Sequence, residues 1–197
     1  MKGKVSKNKF LKVVLPALLV VAIICQAVGF QAVLAKGNVA TTSSDSISNL
    51  TDQQLQALTN PILQSYKADS SHKVWKMTDD SRLAVLANQT NIENARLQEV
   101  VKLVNSEFVE KEIISSPLAM VYAQEKDVSY GDILIDIDQT SSITSSSNSK
   151  EAYKITIGEN GVRLTGASEN AIMHGLRTIQ NLIITNDGLV YGEIVDY

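Results

Sequence analysis

The hydrophobic and polar positions of this chain fall into regions of different period. Lys2, Lys4, Lys7, Lys9 and Lys12 form a basic leader, and Val13 to Cys25 follow as an apolar run broken only by Pro16. That order of charge and hydrophobicity is the pattern of an export signal, and Val33-Leu34-Ala35 offers small side chains where a signal peptidase needs them. Residues 1–35 are therefore expected to be a signal peptide cleaved after Ala35. The competing reading is an uncleaved anchor, because Val13 to Ala35 is long enough to cross about 30 Å of hydrocarbon when tilted. Under both readings the lysines stay inside and the rest of the chain is delivered outside.

Residues 36–49, KGNVATTSSDSISN, hold too few apolar side chains to order themselves and are expected to form a disordered linker. Thr51 and Gln54 then fit a capping box, with Leu50 and Leu55 placed as a hydrophobic staple, so a short helical segment is expected within 50–69. Pro61 ends or kinks it. A new apolar run at Val74 to Met77 places the main domain boundary near residue 70, giving a domain over 70–197.

Beyond Arg82 strands and helices alternate. Leu83 to Leu86 reads as a short strand, and Thr90 with Glu93 as a second capping box opening a helix to about Glu110. Leu97, Val100, Val101, Val104 and Phe108 mark its buried stripe. Pro117 to Gln124 and Asp132 to Asp138 read as strands, the second with Ile133, Ile135 and Ile137 inward and Asp132, Asp136 and Asp138 on a wet face. Thr140 to Ser149 is expected to be a surface loop. Tyr153 to Ile157 and Val162 to Thr165 flank a hairpin turn at Gly158 to Gly161 that needs positive φ. Ser168 caps a helix carrying Ile172, Leu176, Ile179, Leu182 and Ile183, in which Gly175 admits a close neighbour, and Asn186-Asp187-Gly188 stops it. Leu189 to Val195 reads as one last strand. The fold class is therefore α+β: an antiparallel or mixed sheet with two helices packed on one face, preceded by the signal peptide and linker.

Composition narrows the function classes. The chain has 197 residues, 44% apolar and 20% charged, inside the ordinary globular range. Five of its 18 basic residues and none of its 21 acidic residues lie in the first 35, which leaves a body with a formal charge of −8. Such a body argues against a nucleic-acid partner. Cys25 is the single cysteine and sits in the expected leader; Ile23 and Ile24 before it do not suit a lipoprotein signal. A mature chain without thiols excludes disulfides, cysteine nucleophiles and thiolate metal sites, and about 160 residues suffice for a stabilising core.

Candidate chemistry is sparse. Asp136-Ile-Asp138 has the start of a calcium loop, but an EF-hand counted from Asp136 needs Gly and Glu where Ser141 and Ser147 stand. His72 lies near a boundary and His174 within the second helix, with no nucleophile to pair either; His174 is read as a packing residue. Trp75 and the tyrosines are candidate sugar platforms, with burial of Trp75 as the plainer reading. Glu107, Glu110 and Glu112 are read as a solvated helix end. Asn49-Leu-Thr51 and Asn88-Gln-Thr90 fit glycosylation sequons, given little weight because the leader's length and lysine content point to a bacterial protein. No residue is assigned a catalytic, cofactor-binding or metal role, and no cofactor is expected.

Three stretches together carry a resemblance: Glu151-Ala-Tyr-Lys-Ile-Thr-Ile157; Gly161-Val-Arg-Leu-Thr165; and Ala167 to Leu182, ASENAIMHGLRTIQNL. They resemble the N-terminal non-catalytic domain of family 20 glycoside hydrolases, the β-N-acetylhexosaminidases, whose pattern runs E-x-Y-x-L-x-I, G-V-x-I-x-(A/G), G-x-x-x-G-L-x-T-L-x-Q-L and I-x-D-x-P-R-F. Gly175, Leu176, Thr178 and Leu182 match the helix, Ala171 and Asn181 replace its first Gly and its Gln, and Ile194 and Asp196 match the start of the closing motif. The resemblance covers about Val74 to Tyr197 and is specific from Glu151 onward.

The resemblance implies an accessory domain preceding a catalytic (β/α)8 barrel, which would be its partner. In that barrel an Asp orients the substrate's acetamido group and a Glu works as acid and base, the substrate-assisted variant of glycoside hydrolysis. No position of this chain matches either carboxylate. The expectation is a secreted or cell-surface domain, inactive alone, that meets N-acetylhexosamine-containing glycans only through the barrel and the membrane only through its N-terminal leader or anchor. The alternative is a secreted carbohydrate-binding or cell-surface interaction module without hydrolase activity.

Overall fold

The computed structural model describes residues 47–139 and 150–197. The expected signal peptide, most of the linker and the loop from Thr140 to Ser149 lie outside the described residues. All described residues belong to one compact unit.

The elements follow in the order α1 (Asp52–Gln56), β1 (Ser65–Ala68), β2 (Val74–Trp75), β3 (Arg82–Leu86), α2 (Gln89–Ile92), α3 (Ala95–Glu110), β4 (Ala119–Ala123), β5 (Ile133–Ile137), β6 (Tyr153–Gly158), β7 (Gly161–Gly166), α4 (Glu169–Asn186), β8 (Leu189–Val190) and β9 (Gly192–Asp196). Seven strands form one mixed sheet in the order β1-β9-β6-β7-β5-β3-β4, and β2 pairs with β8 apart from it. The β1 to β7 side is antiparallel, while β7, β5, β3 and β4 run parallel.

The two helical stripes account for the main core. Leu97, Val100, Val101, Val104 and Phe108 of α3, and Ile172, Leu176, Ile179 and Leu182 of α4, are all buried with Leu83, Val85, Ile133, Ile135, Ile155 and Leu164 of the sheet. Both helices thus cover one face, as the apolar period requires. Gly175 makes the contact close: a Cβ there would stand 2.3 Å from Leu164 Cδ1. On the opposite face Ala84 and Leu134 meet Val121 and Val128 in a small second cluster. Val128 belongs to the nine-residue return from β4 to β5. The β3-to-β4 crossover runs through helices on one face and the β4-to-β5 return runs back on the other. Reversing both direction and face keeps the two crossovers of one hand, as the twist of a sheet demands.

Several expectations hold in atomic detail. Thr51 and Gln54 complete the capping box, with Leu55 buried and Leu50 packed beside the same core. Ser168 accepts the Ala171 N–H, and Asp187 ends α4 in the left-handed conformation. Of the hairpin residues Gly158 to Gly161 only Gly161 takes positive φ, at 92°.

Others are corrected. The helix expected from Thr90 is two helices: Asn88 caps α2 by accepting the Asn91 N–H, and Asn94 caps α3 by accepting the Leu97 N–H. Asparagine is the better N-cap, and Glu93 accepts from the Gln89 side chain instead of closing a box with Thr90. The last strand is broken at Tyr191, and a φ of 151° at Gly192 redirects the chain from the small sheet to the large one. The segment 50–69, read as a helical piece ahead of the domain, supplies the edge strand β1, paired to β9, and Ile47 from the end of the expected linker is buried in the core. The wet face of Asp132 to Asp138 is also overturned. β5 lies between β7 and β3, Asp132 and Asp136 are 2% and 6% exposed, and Leu134 between them is buried.

Candidate functional site

Chemistry-bearing side chains collect in two places. The first is the face of the sheet away from the helices. Asp132 takes a two-pronged bond from Arg82, Nη2 to Oδ2 at 2.6 Å and Nε to Oδ1 at 2.9 Å, and also accepts the Ser129 N–H at 2.7 Å. Burial pushes its carboxyl up, but the Arg82 and backbone bonds outweigh this and hold it below the usual carboxylate range. Asp136 accepts from Asn88 Nδ2 at 3.2 Å, Asn91 Nδ2 at 3.0 Å and Arg163 Nη2 at 3.3 Å. Arg163 also reaches Glu125 in the return from β4. Asp132 and Asp136, the second of them the first residue of the calcium-loop candidate, are engaged by two arginines that tie neighbouring strands and the crossover together. Asn88, the second sequon asparagine, spends its amide on this network.

The second place is a cavity of about 350 Å³ where β6, α4 and the end of β9 converge, with Asn60 and Pro61 at its rim. Tyr153 projects from β6, Thr178 from α4 and Asp196 from β9. The Tyr153 hydroxyl donates to Asp196 Oδ2 at 3.0 Å and lies 2.6 Å from Thr178 Oγ1. A phenol has one proton, so Thr178 donates to Tyr153, which donates to Asp196. Asp196 Oδ1 also accepts the Gln64 N–H at 3.3 Å. Burial pushes the Tyr153 phenol well above its ordinary value, so it remains a donor throughout the physiological range. Loss of that hydroxyl in Tyr153→Phe leaves buried Thr178 without its acceptor. The expected cost is about 1 to 1.5 kcal/mol in a denaturant titration, with the fold retained.

His174, Arg177 and Asn181 line the same cavity from α4. His174, expected to pack in the core, is exposed: it falls on the helix face opposite Ile172, Leu176 and Ile179. Arg177 grips Glu107 of α3 through Nη2 to Oε1 at 2.6 Å and Nε to Oε2 at 3.2 Å. Glu107 is therefore no solvated residue; its bonds to Arg177 hold its carboxyl below the usual range. Glu110 and Glu112 are exposed as expected. His72 sits on an exposed turn with φ 49°. Trp75 is wholly buried, with Nε1 donating to the Tyr130 carbonyl at 2.7 Å, so it offers no platform for a sugar. Among the described residues no group of three His, Cys, Asp or Glu is placed to hold a metal ion.

The cavity can position chain segments and present polar groups to a neighbour. Of the two carboxylates that line it, Glu151 and Asp196, the second is engaged by the Tyr153 hydroxyl and the Gln64 N–H, whereas glycoside hydrolysis needs a pair held across the scissile bond. Sequence reasoning missed the convergence itself, although its signal was present. Tyr153, Thr178 and Asp196 match the family pattern in three separate stretches, and Glu151, which also matches it, lines the same cavity.

Comparison with known proteins agrees with this placement. The family model for "Glycosyl hydrolase family 20, domain 2" matches residues 56–197. The chitobiase of Flavobacterium johnsoniae has a similar fold, with a TM-score of 0.52 at 15% identity over 73% of this chain and 21% of that one. The N-acetyl-β-hexosaminidase of Streptomyces plicatus aligns with a TM-score of 0.51 at 14% identity over 75% of this chain and 27% of that one. This chain thus spans about a fifth to a quarter of the length of those structures. No curated protein sequence matches it.

Proposed function

Because the chain belongs to glycosyl hydrolase family 20 through that family's domain 2, we propose that it is the accessory, non-catalytic domain of an exported β-N-acetylhexosaminidase. Its role is to support and orient a catalytic barrel that removes terminal N-acetylhexosamine from glycans. The observation that carries this reading is the meeting of Tyr153, Thr178 and Asp196 at one cavity. Three stretches of family pattern serve a single junction, which fixes the end of β9 against α4. The paired carboxylates of the reaction belong to the barrel, and the N-terminal leader accounts for export.

The purified 197-residue chain is expected to release no chromophore from an aryl N-acetylglucosaminide, while a separately produced family 20 barrel should bind it measurably in calorimetry. Turnover by the chain itself would overturn the non-catalytic role. Retention on chitooligosaccharide without any affinity for a barrel would replace the reading with that of a free glycan-binding module.

A further inference from the structure

The two outer edges of the sheet are finished differently. At the β1 edge α1 lies alongside, and Asp52 Oδ1 accepts the Ala68 N–H at 2.9 Å. Among the described residues no strand or helix covers the β4 edge. In a parallel ladder successive residues direct their main-chain groups to alternate sides. The Ala123 carbonyl accepts the Ala87 N–H at 2.9 Å on the β3 side, so Ala119, Val121 and Ala123 face β3 and Leu118, Met120 and Tyr122 face outward. Leu118 already has a substitute for a neighbouring strand. The Asn105 carboxamide takes its N–H at 2.9 Å and gives Nδ2–H to its carbonyl at 2.8 Å, as a strand residue would. Met120 and Tyr122 have no such partner among the described residues, and Tyr122 is 44% exposed. β4, with the sequence AMVYA, carries no charge, proline or glycine, the usual guards of an edge.

Two open rungs separated by one residue are self-complementary. We propose that β4 is a self-association edge, on which two copies of this chain pair antiparallel about a two-fold axis through Val121. Met120 of each copy then exchanges both main-chain bonds with Tyr122 of the other, and Val121 faces its own counterpart in the intervening non-bonded pair. Met120 lies opposite the partner's Tyr122 ring on the helix-covered face, a favourable sulfur–aromatic pairing. The absence of charge on β4 lets two identical strands approach, and Asn105 closes the ladder at both ends, limiting it to these rungs. This inference is independent of the accessory role.

The test uses the full chain in a Cys25→Ser background. The Val121 Cα atoms of the two copies would be about 4.5 Å apart, within disulfide range. Val121→Cys should therefore cross-link under mild oxidation at least tenfold faster than Leu103→Cys, an exposed position on α3. Val121→Lys and Val121→Glu should each abolish concentration-dependent dimers in sedimentation, and an equimolar mixture of the two should restore them. Cross-linking at 121 no faster than at 103, or undiminished association of the lysine variant, would overturn the proposal; the cysteine variant decides the matter if a charged variant fails to fold.

Discussion

Gly192→Ala is expected to lower the melting temperature by roughly 10 °C. Two costs act together. A φ of 151° is one that side-chain-bearing residues rarely adopt. The added Cβ would also stand 2.1 Å from the Lys67 carbonyl oxygen and 2.9 Å from Ala68 Cα. Both are backbone atoms of β1, and they cannot swing aside as a side chain would. Relief requires separating β1 from β9, which abandons the edge ladder from Ser65 to Ala68. A thermal scan of the purified variant checks it, and a shift under about 3 °C would show that the break between β8 and β9 adapts more easily than its geometry implies.

Asp132→Asn is the second large effect, and it depends on pH. The substitution removes the charge from the Arg82 pair and disturbs a carboxylate that also accepts the Ser129 N–H, for a loss of about 2 kcal/mol near neutrality. Asp132 has a folded-state pKa below its unfolded value. Its contribution is therefore complete above the unfolded pKa of about 4 and fades as pH falls through the depressed folded value. Glu107, depressed by Arg177, moves in the same direction. Denaturant titrations of wild type and variant at several pH values should show their difference largest at neutral pH and shrinking below about pH 4. A difference constant down to pH 2 would mean that the asparagine disturbs packing and that charge has little part in the effect.

Local signals in the sequence were reliable where one chemical rule decides the outcome. The Thr51 and Ser168 caps, the stripes of α3 and α4, the close approach at Gly175 and the stop at Asp187 each follow from residues within one or two turns. A local rule misled at Thr90, where the Asn88 and Asn94 caps prevail, and the errors at Asp132 and Asp136 arose where the partner was remote. Asp132 and Asp136 alternate with isoleucine as a half-wet strand does, and only the placement of β5 between β7 and β3 brings Arg82 and Arg163 over them. His174 lies beside apolar neighbours in sequence, yet the helical turn carries it to the other face. The family pattern made Tyr153, Thr178 and Asp196 visible as separate matches. Their union at one cavity needed three elements to close on one another, which no local window records.

The placement of β9 has a mechanical consequence. The strand lies between β1 and β6, antiparallel to both, and the segment just before it is tied to the small sheet through the Tyr191 N–H to the Lys73 carbonyl at 2.7 Å. Tension applied along β9 from its C-terminal end would load two ladders in shear at once, so the strand resists as a unit and cannot be unzipped one rung at a time. A domain held by that end transmits pull and torque as a stiff bracket does.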